Sequence, residues 1–312
     1  MIRDRARRRA ELRAQLGHER PNRAVTVSMA GTALVLVAVM LFVVVRSCGG
    51  PSAHQTHPAA PPSTVADEGL NVAHDGYRLE LRTEPAERGP AVPVAFRILD
   101  LRGTPQTDYD LGHTKLLHFY VLREDMTQYQ HLHPELRGDT WHTTISVPDG
   151  GSYRLYAEFL PRGRSNPTHP VVLGAPFIIP GDTALVPLPA PAGSVPAVAS
   201  TGAGLTVTRP EGATSVAVGK VNELRFRVTD AAGAPVDRLE SYLGAYAHLS
   251  AFNSLSMGLL HQHPLDAAYS GLGGGPELRF AAQFAHRGEH RLFLEFSVDG
   301  QVRRADFTVF VT

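Results

Sequence analysis

The chain has 312 residues, which leaves room for about two domains once terminal tails are set aside. Its 30 Lys and Arg residues balance 30 Asp and Glu residues, so the chain as a whole has no net field that would attract nucleic acid or an acidic substrate. The single cysteine excludes an internal disulfide and the paired thiolates of a classical zinc finger. Domains outside the cytoplasm would therefore have to fold by hydrophobic burial alone.

Residues 1–23 form a basic segment, which we interpret as a cytoplasmic tail. It contains Arg3, Arg5, Arg7, Arg8, Arg9, Arg13, Arg20 and Arg23. The 22 residues from Ala24 to Val45 carry no charge, and about 20 apolar residues suffice to cross a bilayer as a helix. Because positive charge is retained on the cytoplasmic side, the sequence predicts a single-pass transmembrane helix over 24–45 in the plasma membrane. The C-terminal domains would lie outside the cytoplasm.

Two alternatives to an uncleaved anchor remain open. A cleaved signal peptide also begins with basic residues, although its apolar core is usually only about 7–15 residues long. Cys48 lies where a bacterial lipoprotein carries its lipidated cysteine, but Arg46 interrupts the small residues that such a signal needs.

Two segments rich in Pro, Ala and Ser lack the bulky apolar residues that a core requires. Residues 46–69 are predicted to be a stalk, and residues 181–203 a linker. They leave two candidate domains, residues 70–180 and residues 204–312.

Both candidate domains contain short segments in which apolar and polar residues alternate, which is typical of half-buried strands. In residues 222–228, Leu224, Phe226 and Val228 alternate with charged residues. Turn residues such as those at 148–151 and 299–300 separate these segments. The predicted fold is mainly β, with two tandem Ig-like or cupredoxin-like β-sandwich domains after one N-terminal transmembrane helix.

The two domains are copies of one repeat. Phe96 and Phe226 align at an offset of 130, as do the residues that follow them. The same offset pairs His118 with His248, His131 with His261, His133 with His263 and Pro134 with Pro264. Beyond an insertion in the second copy, Glu158 and Phe159 match Glu295 and Phe296.

The repeated histidines suggest a metal site. Residues i and i+2 of a strand point to one face, so each His-x-His-Pro motif can present two imidazoles side by side. His118 and His248 lie on the mixed face of their predicted strands, where a third imidazole could reach solvent or a ligand. The candidate metal ligands are His118, His131, His133 and Met126 in the first copy and His248, His261, His263 and Met257 in the second.

Imidazole together with thioether favours copper over zinc and argues against hard cations such as calcium. A purely structural interpretation stands beside this one, because a His-x-His-Pro motif can also cap a turn and duplication would copy it. His113 is matched by Leu243 and is a weak candidate. Ordinary surface or strand positions are expected for His142, His169, His286 and His290, and a solvated linker for His54 and His57.

Residues 118–134 (HFYVLREDMTQYQHLHP) and 242–264 (YLGAYAHLSAFNSLSMGLLHQHP) resemble an actinobacterial family of membrane-anchored or secreted proteins with tandem His-rich β-domains. This family is largely uncharacterised and is sometimes associated with heavy-metal handling. A more distant analogy is to periplasmic copper-resistance β-sandwiches with His and Met ligands. The resemblance implies an acidic residue before the motif; residues 253–256 (NSLS) depart from that pattern and put the second site in doubt.

The sequence therefore predicts a membrane-anchored extracytoplasmic protein that handles a transition metal, copper ahead of zinc. The alternative is a non-catalytic structural or interaction module of the cell envelope that binds no metal. No catalytic motif is found, so no enzyme is predicted. The expected partners are the membrane through residues 24–45, a metal ion and an unidentified envelope protein, with no nucleic acid.

Overall fold

The computed structural model describes residues 68–163, 170–191, 204–211, 216–265 and 273–312, with the side chains of His261 and His263 excepted. The chain divides into two compact units, residues 1–61 and 62–312, and every described residue belongs to the second. The predicted helix at 24–45 lies outside the described residues. Among the described residues, no helix is long and apolar enough to cross a membrane.

The described residues form antiparallel strands and no helix, which confirms an all-β protein. The first copy of the repeat contains β1 (Ala73–His74), β2 (Tyr77–Thr83), β3 (Gly89–Asp100), β4 (Tyr109–Asp110), β5 (Leu117–Arg123), β6 (Gln130–Leu132), β7 (Glu135–Arg137), β8 (Thr140–Val147), β9 (Gly151–Pro161) and β10 (Val171–Ile179). They form a sheet with the order β1-β2-β3-β8-β7 and a second sheet with the order β10-β9-β5-β6, in which β4 also pairs with β9.

The second copy forms one seven-stranded sheet with the order β11-β12-β15-β14-β13-β16-β17. Its strands are β11 (Thr206–Thr208), β12 (Val221–Thr229), β13 (Ala247–Asn253), β14 (Leu259–Pro264), β15 (Glu277–Gln283), β16 (Gly288–Val298) and β17 (Gln301–Val311).

Turn chemistry sets the register of these strands. Asp299 and Gly300 have φ values of 54° and 70° and are the only residues between β16 and β17. Two consecutive positive φ values are typical of the two-residue turn that matches the twist of a hairpin. The predicted turn at 299–300 is thereby confirmed, and residues 148–150 connect β8 to β9.

Each copy has its own apolar core. In the first copy the core includes Phe96, Phe119 and Trp141, and in the second it includes Phe226, Phe280 and Phe307. These side chains come from the alternating positions that the sequence marks as apolar. Burial of such alternating rows is what holds the sheets of each copy together.

A third apolar cluster joins the two copies. It contains Tyr120, Leu122, Met126, Tyr129 and Tyr156 from the first copy and Phe252, Leu259 and Phe293 from the second, with Val172, Leu188 and Met257 packed against it. Strands β5 and β13 are consequently buried along their full length. This cluster, which we call the inter-copy cluster, places the mixed faces of both strands in the interior.

Candidate metal centre

His118 is the second residue of β5 and is only 3% exposed. Its Nε2 lies 3.0 Å from the backbone oxygen of Gly112. A carbonyl oxygen can only accept a hydrogen bond, so Nε2 carries the hydrogen and donates it. The other ring nitrogen, Nδ1, therefore presents its lone pair.

The motif at 131–133 brings two more imidazoles to His118. His131 belongs to β6, which pairs with β5 so that His131 lies opposite Tyr120, and His133 follows the strand. One ring nitrogen from each of His118, His131 and His133 lies within 4.8 Å of the others. Three imidazoles at this spacing could hold a metal ion.

Glu295 of β16 fixes the orientation of His131. The Nδ1 of His131 lies 2.6 Å from Oε2 of Glu295, a separation typical of a charge-assisted hydrogen bond. With Nδ1 donating to the carboxylate, Nε2 is the nitrogen of His131 that faces His118. Metal-binding histidines in proteins usually donate their second nitrogen to a carboxylate or a carbonyl in this way.

The second ring nitrogens of His118 and His131 face each other at hydrogen-bond distance. Nδ1 of His118 and Nε2 of His131 are 3.0 Å apart. Two nitrogens that bind one ion at about 2.0–2.1 Å, with an angle of roughly 90–110° between the bonds, lie about 2.8–3.4 Å apart. The pair therefore has the separation that a shared cation requires.

His133 contributes a buried nitrogen that is not hydrogen bonded. Its Nε2 is inaccessible to solvent and has no hydrogen-bond partner among the residues that the structure describes. Burial lowers the pKa of His133 to about 3, and its neighbours His131, His118 and Lys115 act in the same direction. The ring is therefore neutral at ordinary pH, which is the form that binds a metal.

His113 and His248 extend the histidine cluster across the two copies. Their ring centroids are 5.0 Å apart, and the centroid of His113 is 6.0 Å from that of His118. His113 and Thr114 have φ values of 43° and 67° and form a tight turn whose ends, Gly112 and Lys115, exchange backbone hydrogen bonds. Leu243 and Gly244, with φ values of 53° and 82°, form the corresponding two-residue turn in the second copy.

A small cavity of about 70 Å³ lies beside His118. His113, Lys115 and Glu158 are among the residues that line it. The Glu158 carboxylate accepts a hydrogen bond from the hydroxyl of Tyr120 at 3.2 Å, and burial raises the pKa of this phenol well above its usual value. The cavity gives the otherwise buried His118 ring an opening lined by one carboxylate and one ammonium group.

The structure brings together only part of the predicted ligand set. His248 is 1% exposed, and its Nε2 lies 2.9 Å from the backbone oxygen of Tyr242. This contact corresponds to the one between Nε2 of His118 and the backbone oxygen of Gly112. Met126 and Met257 belong to the inter-copy cluster, among apolar side chains. The backbone of His261 lies opposite Ser250 and that of His263 opposite Ala281, and their side chains lie outside the described part of the chain.

Three residues of this site are not among the predicted ligands. Glu158 and Glu295 recur at matching positions of the repeat, and that recurrence is the signal that could have drawn attention to them. His113 has no counterpart in the second copy, where Leu243 takes its place, so the repeat argues against it. Its contact with His248 could not be read from the sequence because it depends on how the copies pack.

The fold and the cluster define an all-β protein with a candidate metal centre where two copies of one repeat meet. The chain belongs to the family described as a domain of unknown function, DUF8832, whose model matches residues 71–173 and 199–312. No curated protein shows significant similarity to the chain. The predicted links to actinobacteria and to copper resistance stay predictions.

Similar solved structures include an S-layer protein and invasin. Domains 4 and 5 of the S-layer protein SbsC share 12% identity at a TM-score of 0.20, over 78% of this chain and 99% of that one. Invasin, a bacterial integrin-binding protein, shares 10% identity at a TM-score of 0.22, over 76% of this chain and 39% of that one. TM-scores of this size do not establish a shared overall arrangement.

Proposed function

We propose that this chain binds a transition metal ion through His118, His131 and His133 and that metal handling is its function. The observation that carries the proposal is the convergence of three imidazoles, in which Nδ1 of His118 and Nε2 of His131 lie 3.0 Å apart. Hydrogen bonds to Gly112 and Glu295 fix both rings in that orientation. A cation between the rings would take the place of the hydrogen that the two nitrogens share, and His133 would supply a third ligand.

Copper is proposed ahead of zinc. A site made of neutral imidazoles accepts both ions, and the general order of affinities places Cu(II) above Zn(II) for nitrogen ligands. Met126 and Met257 would add the thioether that Cu(I) prefers, provided that a small movement brings either sulfur to the cluster. In the structure both side chains pack in the inter-copy cluster, so the imidazoles carry the proposal.

A second site in the second copy is part of the proposal. Its ligands would be His248, His261 and His263, with Met257 as a soft fourth ligand. The repeat supports it, because the three histidines keep their spacing and His248 makes the same carbonyl contact as His118.

We further propose that residues 24–45 anchor the protein in the plasma membrane and that both copies lie outside the cytoplasm. In this location the protein would bind and pass on an ion rather than catalyse a reaction. An envelope protein that delivers or receives the ion would be its partner.

The test is a titration of the purified full chain with Cu(II) and with Zn(II), read by calorimetry and by analysis of bound metal. A Cys48→Ser background removes the single thiol as a ligand. We expect a dissociation constant below about 10 µM, which corresponds to roughly −7 kcal/mol, and loss of one bound ion when His131 and His133 are both replaced by Ala. His142→Ala is the matched control, because His142 lies in β8 of the same copy.

The same titration distinguishes the structural alternative. If the wild-type chain binds neither ion more tightly than about 10 µM, the histidines serve the packing of the two copies. The protein is then a structural or interaction module of the envelope.

A further inference from the structure

We propose that Glu295, supplied by the second copy, is the positioning residue of the metal centre in the first copy, so that the centre is complete only when the two copies are packed together. This inference rests on the proposed function. His131 and Glu295 are 164 residues apart in sequence, yet their side chains meet at 2.6 Å. The centre is therefore assembled from both copies.

The contact is shielded from solvent on both sides. The side chain of His131 is 1% exposed and that of Glu295 is 11% exposed. A hydrogen bond to an ionised group in such surroundings is strong and directional. It holds the His131 ring so that Nε2, and not Nδ1, points towards His118.

Divergence between the copies explains why Glu295 serves this role and Glu158 does not. Glu158 lies opposite His118 on the neighbouring strand and accepts a hydrogen bond from Tyr120 of its own copy. The residue that corresponds to Tyr120 in the second copy is Ser250. The smaller Ser250 leaves the space that residues of the first copy use to reach Glu295.

Two side chains of the first copy occupy that space. The Tyr129 hydroxyl lies 3.2 Å from the Ser250 hydroxyl and 3.3 Å from Oε2 of Glu295. His131 reaches the same carboxylate oxygen and stacks on Tyr120, with ring centroids 4.6 Å apart. Replacement of Tyr by Ser in one copy thus converts a contact within a copy into a contact between copies.

Metal binding and packing of the copies are then linked. An ion that binds only the packed arrangement stabilises that arrangement by the free energy of its binding. Loss of the Glu295 charge weakens the hydrogen bond that orients His131, so the ring can turn and present the wrong nitrogen. Outer-shell partners of this kind typically change metal affinity by about 10-fold to 100-fold.

The first experiment compares Cu(II) binding by the full chain and by two variants in the Cys48→Ser background. We expect Glu295→Gln to weaken binding by about 10-fold to 100-fold and to change the Cu(II) electron paramagnetic resonance spectrum. Glu289→Gln is the matched control. Glu289 lies in the same strand as Glu295, is only partly buried and pairs with Phe310 of β17.

We expect the control to bind copper within about threefold of the wild type. Wild-type affinity and spectrum in Glu295→Gln would overturn the inference while the metal site itself stands. Absence of copper binding by the wild type would instead overturn the proposed function.

A measurement on the unmodified protein covers the case in which Glu295→Gln does not fold. Hydrogen exchange of the full chain is followed with and without one equivalent of Cu(II). We expect copper to slow exchange both at 129–133 in the first copy and at 291–297 in the second. Slower exchange in the first copy alone would show that Glu295 takes no part in the centre.

Discussion

The ring of Tyr129 in the first copy lies parallel to the ring of Phe293 in the second, with centroids 4.1 Å apart and an angle of 3° between the planes. This stack lies within the inter-copy cluster and next to the carboxylate of Glu295, which also contacts Tyr129. Aromatic pairs of this kind contribute about 0.5–1.5 kcal/mol beyond the area that they bury. The stack therefore supports both the packing of the copies and the geometry of the candidate centre.

Removal of this stack should destabilise the protein. Phe293 is 1% exposed, and we expect Phe293→Ala to lower the free energy of unfolding by about 3 kcal/mol or more. Denaturation by urea measures the change. Phe310→Ala is the matched control. Phe310 lies in β17 and is 50% exposed. Its replacement should lower the free energy of unfolding by less than about 1 kcal/mol. Equal losses in the two variants would contradict a packed inter-copy cluster.

A buried histidine in the second copy should make stability depend on pH. Burial lowers the pKa of His290 to about 4, although the backbone oxygen of Gly288 partly opposes this and His286 adds to it. In the unfolded chain the pKa is about 6.5, so between about pH 6.5 and 4 the unfolded state binds more protons. The contribution of His290 to the free energy of unfolding is complete above about pH 6.5 and is lost as the pH falls towards 4.

The loss amounts to about 3 kcal/mol, since each unit of pKa difference contributes about 1.4 kcal/mol. Urea denaturation of the wild type and of His290→Gln at several pH values isolates this contribution. The free energy of unfolding should fall more steeply in the wild type between pH 6.5 and 4. If the free energy of unfolding falls equally steeply in both proteins, His290 has the same pKa in the folded and the unfolded chain.

The segment that enters the first copy depends on a glycine. A Cβ at Gly174 would lie 2.1 Å from the backbone oxygen of Gly69, and the amide of Gly174 donates to the oxygen of Asn71. Gly174→Ala should displace residues 69–71 from β10 and raise the rate of proteolysis there at least about 10-fold, because a displaced segment is open to cleavage.

Gly103→Ala is the control variant for this proteolysis measurement. Gly103 has a φ of 79° and open space where a Cβ would be placed, so its substitution tests the backbone effect alone. An unchanged cleavage rate in Gly174→Ala would show that the segment tolerates the extra methyl group.

The sequence predicts the strands that bury one face. Leu224, Phe226 and Val228 are buried in β12 and alternate with exposed residues, as the period-2 pattern indicates. The pattern is reliable here because one face of β12 meets the core and the other meets water.

The period-2 pattern is less informative for β9. In this strand both Tyr156 and Glu158 are buried on the face that the sequence marks as polar. That face is covered by the second copy, and a contact between copies leaves no periodic trace in either of them. The same limit applies to the site. The repeat reveals His118, His131 and His133, whereas Glu295 and His113 acquire their roles only through the packing of one copy on the other.

The most direct test of the account is to locate copper in crystals of the loaded chain by anomalous scattering at the copper absorption edge. In the first copy we predict a peak about 2.0–2.2 Å from Nδ1 of His118, Nε2 of His131 and a ring nitrogen of His133. A peak only at Cys48, His54 or His57, or no peak in crystals grown with copper, would contradict a metal centre at these three histidines.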